Sequence, residues 1–367
     1  MPPYYIFLKS LMEHPDFDET TNLLADPKRV SDNLATDASP RTFEEHSRQF
    51  LGYPLNNQQG NKFREMLCTT DGLGQYFGQA ILHRSTCDLH AADGRLLTDH
   101  LLDRNVMPIV KACGLDKKTG LIPDEDMQAL PDLMNDCTDL GFHLMKVRNV
   151  INDPDKALEA AHQMAHVQNM AAKNGNVAIF LEPEFDRNNN RSSQENAALM
   201  TTTLRAMYEE ILRLGVENHP WYLKTSYPTQ GSQSTDKYDP FSSAEAYQNV
   251  LTDSELPEDL FIVQLSGGHT SVNARLLQQA VNIRQKTEGV WIPKRRAIST
   301  SYSRANLESP CQQMFPKKGA EPNVAAGQAE ILRQGYLNRL AQDGKYSTHF
   351  EDTKMSFEEI WREVNPT

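Results

Sequence analysis

Eight short apolar runs, separated by stretches with helical spacing, constrain this chain more than any single residue does. The runs lie at 33–37, 78–83, 107–112, 142–148, 176–184, 219–227, 259–268 and 296–304. Several hold four or five consecutive apolar residues, as strands of a parallel sheet do when both faces are covered. The intervening stretches carry helix signals. Residues 158–173 are rich in Ala and Met and end at Asn174-Gly175, a natural C-cap. Residues 194–214 place Leu199, Leu204, Met207, Ile211 and Leu212 at near-helical intervals, and 271–285 and 326–343 follow the same logic. Strands alternating with helices in this way predict an α/β fold, a (β/α)8 TIM barrel. The competing doubly wound open sheet expects a G-x-G-x-x-G turn after its first strand, and the sequence has none there. The expected organisation is an N-terminal arm at 1–30, one barrel at 31–343 and a C-terminal tail at 344–367 with a helix at 356–364.

Composition narrows the class. The 367 residues are 39% hydrophobic and 23% charged, ordinary for a soluble globular protein. No apolar stretch approaches the roughly 18–20 residues of a membrane helix, and the first residues lack a signal-peptide layout. Five scattered cysteines without a C-x-x-C pair suit a reducing, cytoplasmic setting. A net charge of −12 argues against nucleic-acid partners but leaves room for a small anion bound by local charge.

The polar residues of the strands are concentrated near their C-terminal ends. Asp37 ends the first, Lys111 the third, and Ser266-Gly-Gly268 and Arg304 the seventh and eighth. Lys146 and Arg148 on the fourth strand, and Glu182 and Glu184 on the fifth, are two apart, so each pair can point the same way. Lys224 follows the apolar, aromatic run His219-Pro-Trp-Tyr-Leu. A buried amine is costly unless it is paired or its pKa falls. Lys146 beside it can hold it neutral and nucleophilic toward a carbonyl. The two glutamates can divide proton transfers between them. Ser266, the Gly267 and Gly268 amides and Arg304 suit a phosphate after strands seven and eight, while Lys111 and Arg148 suit a second anion. A purely structural ion-pair network of Lys146 and Arg148 with Glu182 and Glu184 is the alternative.

These residues resemble the class I, Schiff-base-forming fructose-1,6-bisphosphate aldolases. The resemblance is carried by Leu34-Ala-Thr-Asp37-Ala-Ser39, Phe63-Arg-Glu-Met-Leu67, Ala92-Asp-Gly-Arg95, Met145-Lys-Val-Arg148, Leu181-Glu-Pro-Glu184, Tyr222-Leu-Lys224, Leu265-Ser-Gly-Gly268, Ser301-Tyr-Ser-Arg304 and Gly344-Lys-Tyr346. It implies aldol cleavage of fructose 1,6-bisphosphate or a related ketose phosphate in glycolysis or gluconeogenesis, without metal or cofactor. It further implies that Lys224 forms the imine, Glu182 is the acid/base with Glu184 beside it, and Lys146 assists the nucleophile. Asp37 handles the C3/C4 hydroxyls. Ser266, Gly267, Arg304, Ser303 and Ser39, with Arg148 and Lys111 opposite, bind the sugar phosphate. The implied assembly is a homotetramer, with neither membrane nor nucleic acid as partner.

The chain departs from the family in places. Where the family has a Lys-Arg pair after the first aspartate, it reads Phe43-Glu-Glu-His-Ser-Arg48. Arg41 or Arg48 can substitute, while Glu44 and Glu45 repel phosphate. Ser303 replaces a glycine, and Ala112-Cys-Gly-Leu115 replaces a lysine-rich turn. These departures leave open altered sugar-phosphate specificity or a non-catalytic binding protein of the same fold. His162 and His166 share metal-site spacing, but without H-E-x-x-H they read as solvated. Cys113 reads as an inert thiol, and Lys294-Arg-Arg296 as solvated surface.

Overall fold

The computed structural model describes residues 33–36, 40–236, 238–258, 260–287 and 298–342. The expected arm, the expected tail with its helix, Asp37, Ser39 and Lys294–Arg296 lie outside the described residues, as does the side chain of Arg304.

The eight expected strands are β1 (Asn33–Thr36), β2 (Gln79–His83), β3 (Met107–Lys111), β4 (Leu144–Ile151), β5 (Ala178–Phe185), β6 (Trp221–Thr225), β7 (Ile262–Leu265) and β8 (Ile298–Ser301). They form one sheet in sequential order, every pair parallel, and β8 returns to lie against β1. The helices are α1 (Pro40–Leu51), α2 (Asn57–Thr69), α3 (Arg84–Cys87), α4 (Leu97–Asp103), α5 (Asp124–Asp139), α6 (Ala157–Asn174), α7 (Ser193–Leu214), α8 (Pro240–Asp253), α9 (Ser271–Thr287), α10 (Arg304–Met314) and α11 (Val324–Gln342). This is the expected barrel, with the strand C-terminal ends at one mouth.

The period of two along each strand divides the molecule into two cores. Met145, Val147, Ile179, Leu181, Leu223 and Ile262 join a large buried cluster with the helices. Their neighbours Ile109, Leu144, Phe180, Tyr222 and Val263, with Ile81, form a separate buried cluster inside the barrel. Phe180 and Tyr222 stack there with centroids 4.1 Å apart and planes 6° apart, and Phe261 meets Tyr222 edge-on at 5.4 Å. Two residues further along each strand, the same inward row turns polar. Ile109 gives way to Lys111, Leu144 to Lys146 and Arg148, Phe180 to Glu182 and Glu184, and Tyr222 to Lys224. The aromatic layer is therefore the floor of a charged layer.

Polar fasteners hold the strand ends. Asn149, fully buried, donates to Ala160 O at 3.2 Å and to Gln163 Oε1 at 3.3 Å, tying β4 to α6. Thr225 Oγ1 donates to Pro183 O at 3.2 Å, and Ser226 Oγ accepts from Phe185 N at 3.1 Å, tying β6 to the end of β5. α7 opens on a capping box at Ser192 and Glu195. It buries Leu204, Met207 and Ile211 as expected, with Met200 rather than the half-buried Leu199 completing the face, but Leu212 is 47% exposed. One residue past Ile211 is a 100° turn, which carries Leu212 off the core-facing stripe.

Phe180→Ala should remove about 3–5 kcal/mol of stability, read as a lower urea midpoint, because it opens a cavity in the barrel floor. A loss below about 1 kcal/mol would mean that the floor does not support the barrel.

Candidate active site

The inward polar row of β3 to β6 builds the site. The register sets Leu181 against Leu223, so the next residues, Glu182 and Lys224, come level across the β5–β6 ladder. Glu182 Oε1 lies 3.4 Å from Lys224 Nζ and Glu182 Oε2 lies 2.6 Å from Lys146 Nζ. One carboxylate thus bridges two ammonium groups, with all three side chains at most 3% exposed. Arg148 Nη2 pairs with Glu184 Oε2 in the next layer toward the mouth, where both side chains are partly exposed.

Electrostatics separates the two carboxylates. Burial raises the Glu184 pKa, the neighbouring Glu182 charge adds to this, and the Arg148 guanidinium opposes it. Glu182 instead has a cation on each oxygen. This gives two carboxylates in different environments, the arrangement that acid and base roles require.

Ser266, 6% exposed, directly follows β7. Gly267 and Gly268 follow in left-handed conformation at φ 54° and 76°, a turn that side-chain-bearing residues rarely adopt. The His269 amide closes the turn on Ser266 O at 2.9 Å, and α9 begins two residues later. The turn's amides and a helix N-terminus suit an anion. Ser303 precedes α10 at the N-cap position, without a capping hydrogen bond from its side chain, and Arg304 is the first residue of that helix. Ser271 Oγ donates to Ala305 O at 2.6 Å, tying the β7 loop to that helix. Lys111 closes β3, partly exposed and paired in register with Lys146.

The structure therefore brings Lys146, Glu182 and Lys224 into direct contact, with Arg148 and Glu184 beside them, and Ser266 and Gly267 on a left-handed glycine turn. Arg48, one of the two cations expected to substitute there, is ion-paired with Glu44 at 2.9 Å on the exposed side of α1, while the side chain of Arg41 lies outside the described residues. His162 and His166 are exposed on α6, as expected. Among the described residues no cluster of three or more His, Cys, Asp or Glu is placed to hold a metal. Burial pushes the Cys113 thiol up to about 12, which keeps it protonated and unreactive. No helix among the described residues is long and apolar enough to cross a membrane.

The sequence reading missed Thr225, Ser226 and Arg187. The first two follow Lys224 directly and could have been read as partners for the end of β5. Arg187 lies three residues past Glu184, in what reads as a polar turn.

With the geometry established, comparison with known proteins adds lineage. The family model described as fructose-bisphosphate aldolase class-I matches residues 20–364. Fructose-bisphosphate aldolase 1, chloroplastic, of Pisum sativum is 30% identical over 344 residues, covering 89% of this chain and 90% of the relative. A fructose-bisphosphate aldolase of Dictyostelium discoideum is 28% identical over 347 residues, 89% of this chain and 92% of the relative. The solved fructose-bisphosphate aldolase of Plasmodium falciparum, crystallised with TRAP and an inhibitor, superposes with TM-score 0.76 at 24% identity. It covers 93% of this chain and 96% of its own.

A pKa raised in the folded state gives stability that is present at low pH and lost as pH rises through the folded value. Glu184→Gln removes this titration. Its stability relative to wild type should therefore rise between pH 4.5 and 7.5 in urea denaturation. A relative stability that falls over that range would contradict the assignment.

Proposed function

Because the chain belongs to the class-I fructose-bisphosphate aldolase family, we propose that it cleaves a ketose phosphate reversibly through an imine at Lys224. The observation that carries the reading is the buried Lys146–Glu182–Lys224 bridge at the mouth of the barrel. Lys224 Nζ attacks the C2 carbonyl to give a carbinolamine. Glu182, 3.4 Å from that nitrogen, takes the proton that the Lys224 ammonium gives up before attack and returns it to the carbinolamine hydroxyl, which leaves as water, and an iminium remains. A base takes the C4 hydroxyl proton, a role the resemblance gives to Asp37. The C3–C4 electron pair then moves into the iminium, the aldehyde departs and an enamine is left on Lys224. Protonation at C3 and hydrolysis release dihydroxyacetone phosphate and regenerate the amine. The iminium is the electron sink throughout.

The neighbours have supporting roles. Two ammonium groups share one carboxylate in a dry site, which favours a neutral amine on one of them. Lys146, held at 2.6 Å by Glu182, is the proposed permanent cation, leaving Lys224 as nucleophile. Glu184, its pKa raised by burial, is a proton reserve beside Glu182. Ser266, Gly267, Ser303 and Arg304 take the phosphate nearer the ketone, and Lys111, Arg148 and Ser39 face the other end of the sugar. With Arg48 engaged by Glu44, the distal phosphate gains little, so fructose 1-phosphate is a competent substrate alongside fructose 1,6-bisphosphate. The proposal extends to a cytoplasmic homo-oligomer acting in glycolysis or gluconeogenesis. The scattered cysteines and the family resemblance support that extension.

Purified protein should cleave both substrates, with kcat/KM values within roughly tenfold of each other, a difference of about 1.4 kcal/mol. Lys224→Met should abolish cleavage of both, by about 10³-fold or more. Cleavage that is equal in wild type and Lys224→Met would contradict the imine at Lys224, and no cleavage by wild type would favour the non-catalytic alternative.

A further inference from the structure

A partly buried arginine without a carboxylate partner among the described residues sits beside the Ser266–Gly268 turn. Arg187 lies on the loop after β5, three residues past Glu184. A Cβ built on Gly267 would lie 3.9 Å from Arg187 Cδ, so the arginine stem runs along the face of the Ser266–Gly268 turn. Arg187 Nε is buried with no hydrogen-bond partner, and among the described residues no carboxylate pairs with this side chain. Burial lowers the Arg187 pKa, which marks the cost of holding the cation there. A partly buried cation without a counter-ion, one of its donors unpaired, suits an incoming anion.

The surroundings fix Arg187 and supply no anion. Its carbonyl accepts from Ser232 N at 2.7 Å and from Asn189 N at 2.8 Å, locking the β5 loop to the β6 loop. A Cβ on Gly231 would lie 2.0 Å from Asn189 O, so only glycine permits that closeness. On the other side, His269 shares a hydrogen bond with Thr229 Oγ1 at 3.0 Å and packs against Tyr238, rings 5.4 Å apart. Burial, then the Arg187 charge, pushes the His269 pKa well below its usual range, and burial raises that of the Tyr238 hydroxyl. Both are neutral near pH 7, which leaves the guanidinium as the charged group at this edge of the turn.

We propose that Arg187 is a phosphate-binding residue, closing the Ser266–Gly268 subsite from the β5 side with a guanidinium fork. The inference rests on the reading of this site as a ketose-phosphate site and adds a ligand to it from a third loop. A guanidinium offers paired donors matched to phosphate oxygens, and a cation preordered by two loops loses little entropy on binding. Arg187 thereby strengthens selection for a phosphate at the ketone end of the substrate.

Calorimetry with dihydroxyacetone phosphate tests this on the full-length protein. Arg187→Met should weaken binding by about 10-fold or more, the size of a charge-assisted contact, and Arg187→Lys should recover part of the loss. Unchanged affinity in Arg187→Met, an equal loss in both variants, or no binding to wild type would overturn the proposal. A second measurement needs no variant. Dihydroxyacetone phosphate should protect Arg187 of the wild type from phenylglyoxal, followed by peptide mass, and equal modification with and without it would also overturn the proposal. If wild type binds the ligand through Arg187 but no imine forms at Lys224, the Schiff-base reading fails and the Arg187 assignment stands.

Discussion

The site depends on one carboxylate shared by two buried amines. Glu182 reaches Lys146 with one oxygen and Lys224 with the other. One carboxylate cannot balance two ammonium groups in a layer with almost no solvent, and removing Glu182 leaves the two amines facing each other. Such a cluster is a weak source of stability. Its presence is easier to understand as chemistry, because crowding and burial together favour an uncharged amine with a proton donor in reach.

The barrel makes that cluster possible through strand periodicity. The inward rows begin as an aromatic and aliphatic plug, with Phe180 stacked on Tyr222, and become charged two residues later. The plug keeps water from below, and the side chains of Thr225, Ser226 and Asn149 fix the strand ends above it. Three loops then converge. The β5 loop carries Arg187, the β6 loop locks it through Ser232, and the β7 loop supplies the glycine turn. The proposed nucleophile and anion subsite are therefore set by neighbouring strands of one sheet, as rigid placement of reacting groups requires.

Much of this was legible in the sequence because the deciding signals are local. Apolar runs and helical spacing located all eight strands within a few residues of their observed ends. The two-residue spacing of Lys146 with Arg148, and of Glu182 with Glu184, put each pair on one face. Which charge meets which was not legible. Lys146 bridges with Lys224 to Glu182 while Arg148 takes Glu184, and that depends on the stagger between β4, β5 and β6. Leu212 fits a hydrophobic count but not the stripe, since a single 100° step moves it into solvent. Arg187 escaped notice for a similar reason. In the sequence it opens a polar turn, and only the approach of the β6 and β7 loops gives it a partly buried position without a carboxylate partner among the described residues.

The central claim is that Lys224, and not Lys146, is the amine that becomes covalent. Borohydride reduction in the presence of dihydroxyacetone phosphate, followed by peptide mass mapping, measures this directly. The account predicts the mass of the reduced adduct on the peptide bearing Lys224 alone. An adduct on Lys146 or another lysine, or none at all, would contradict it.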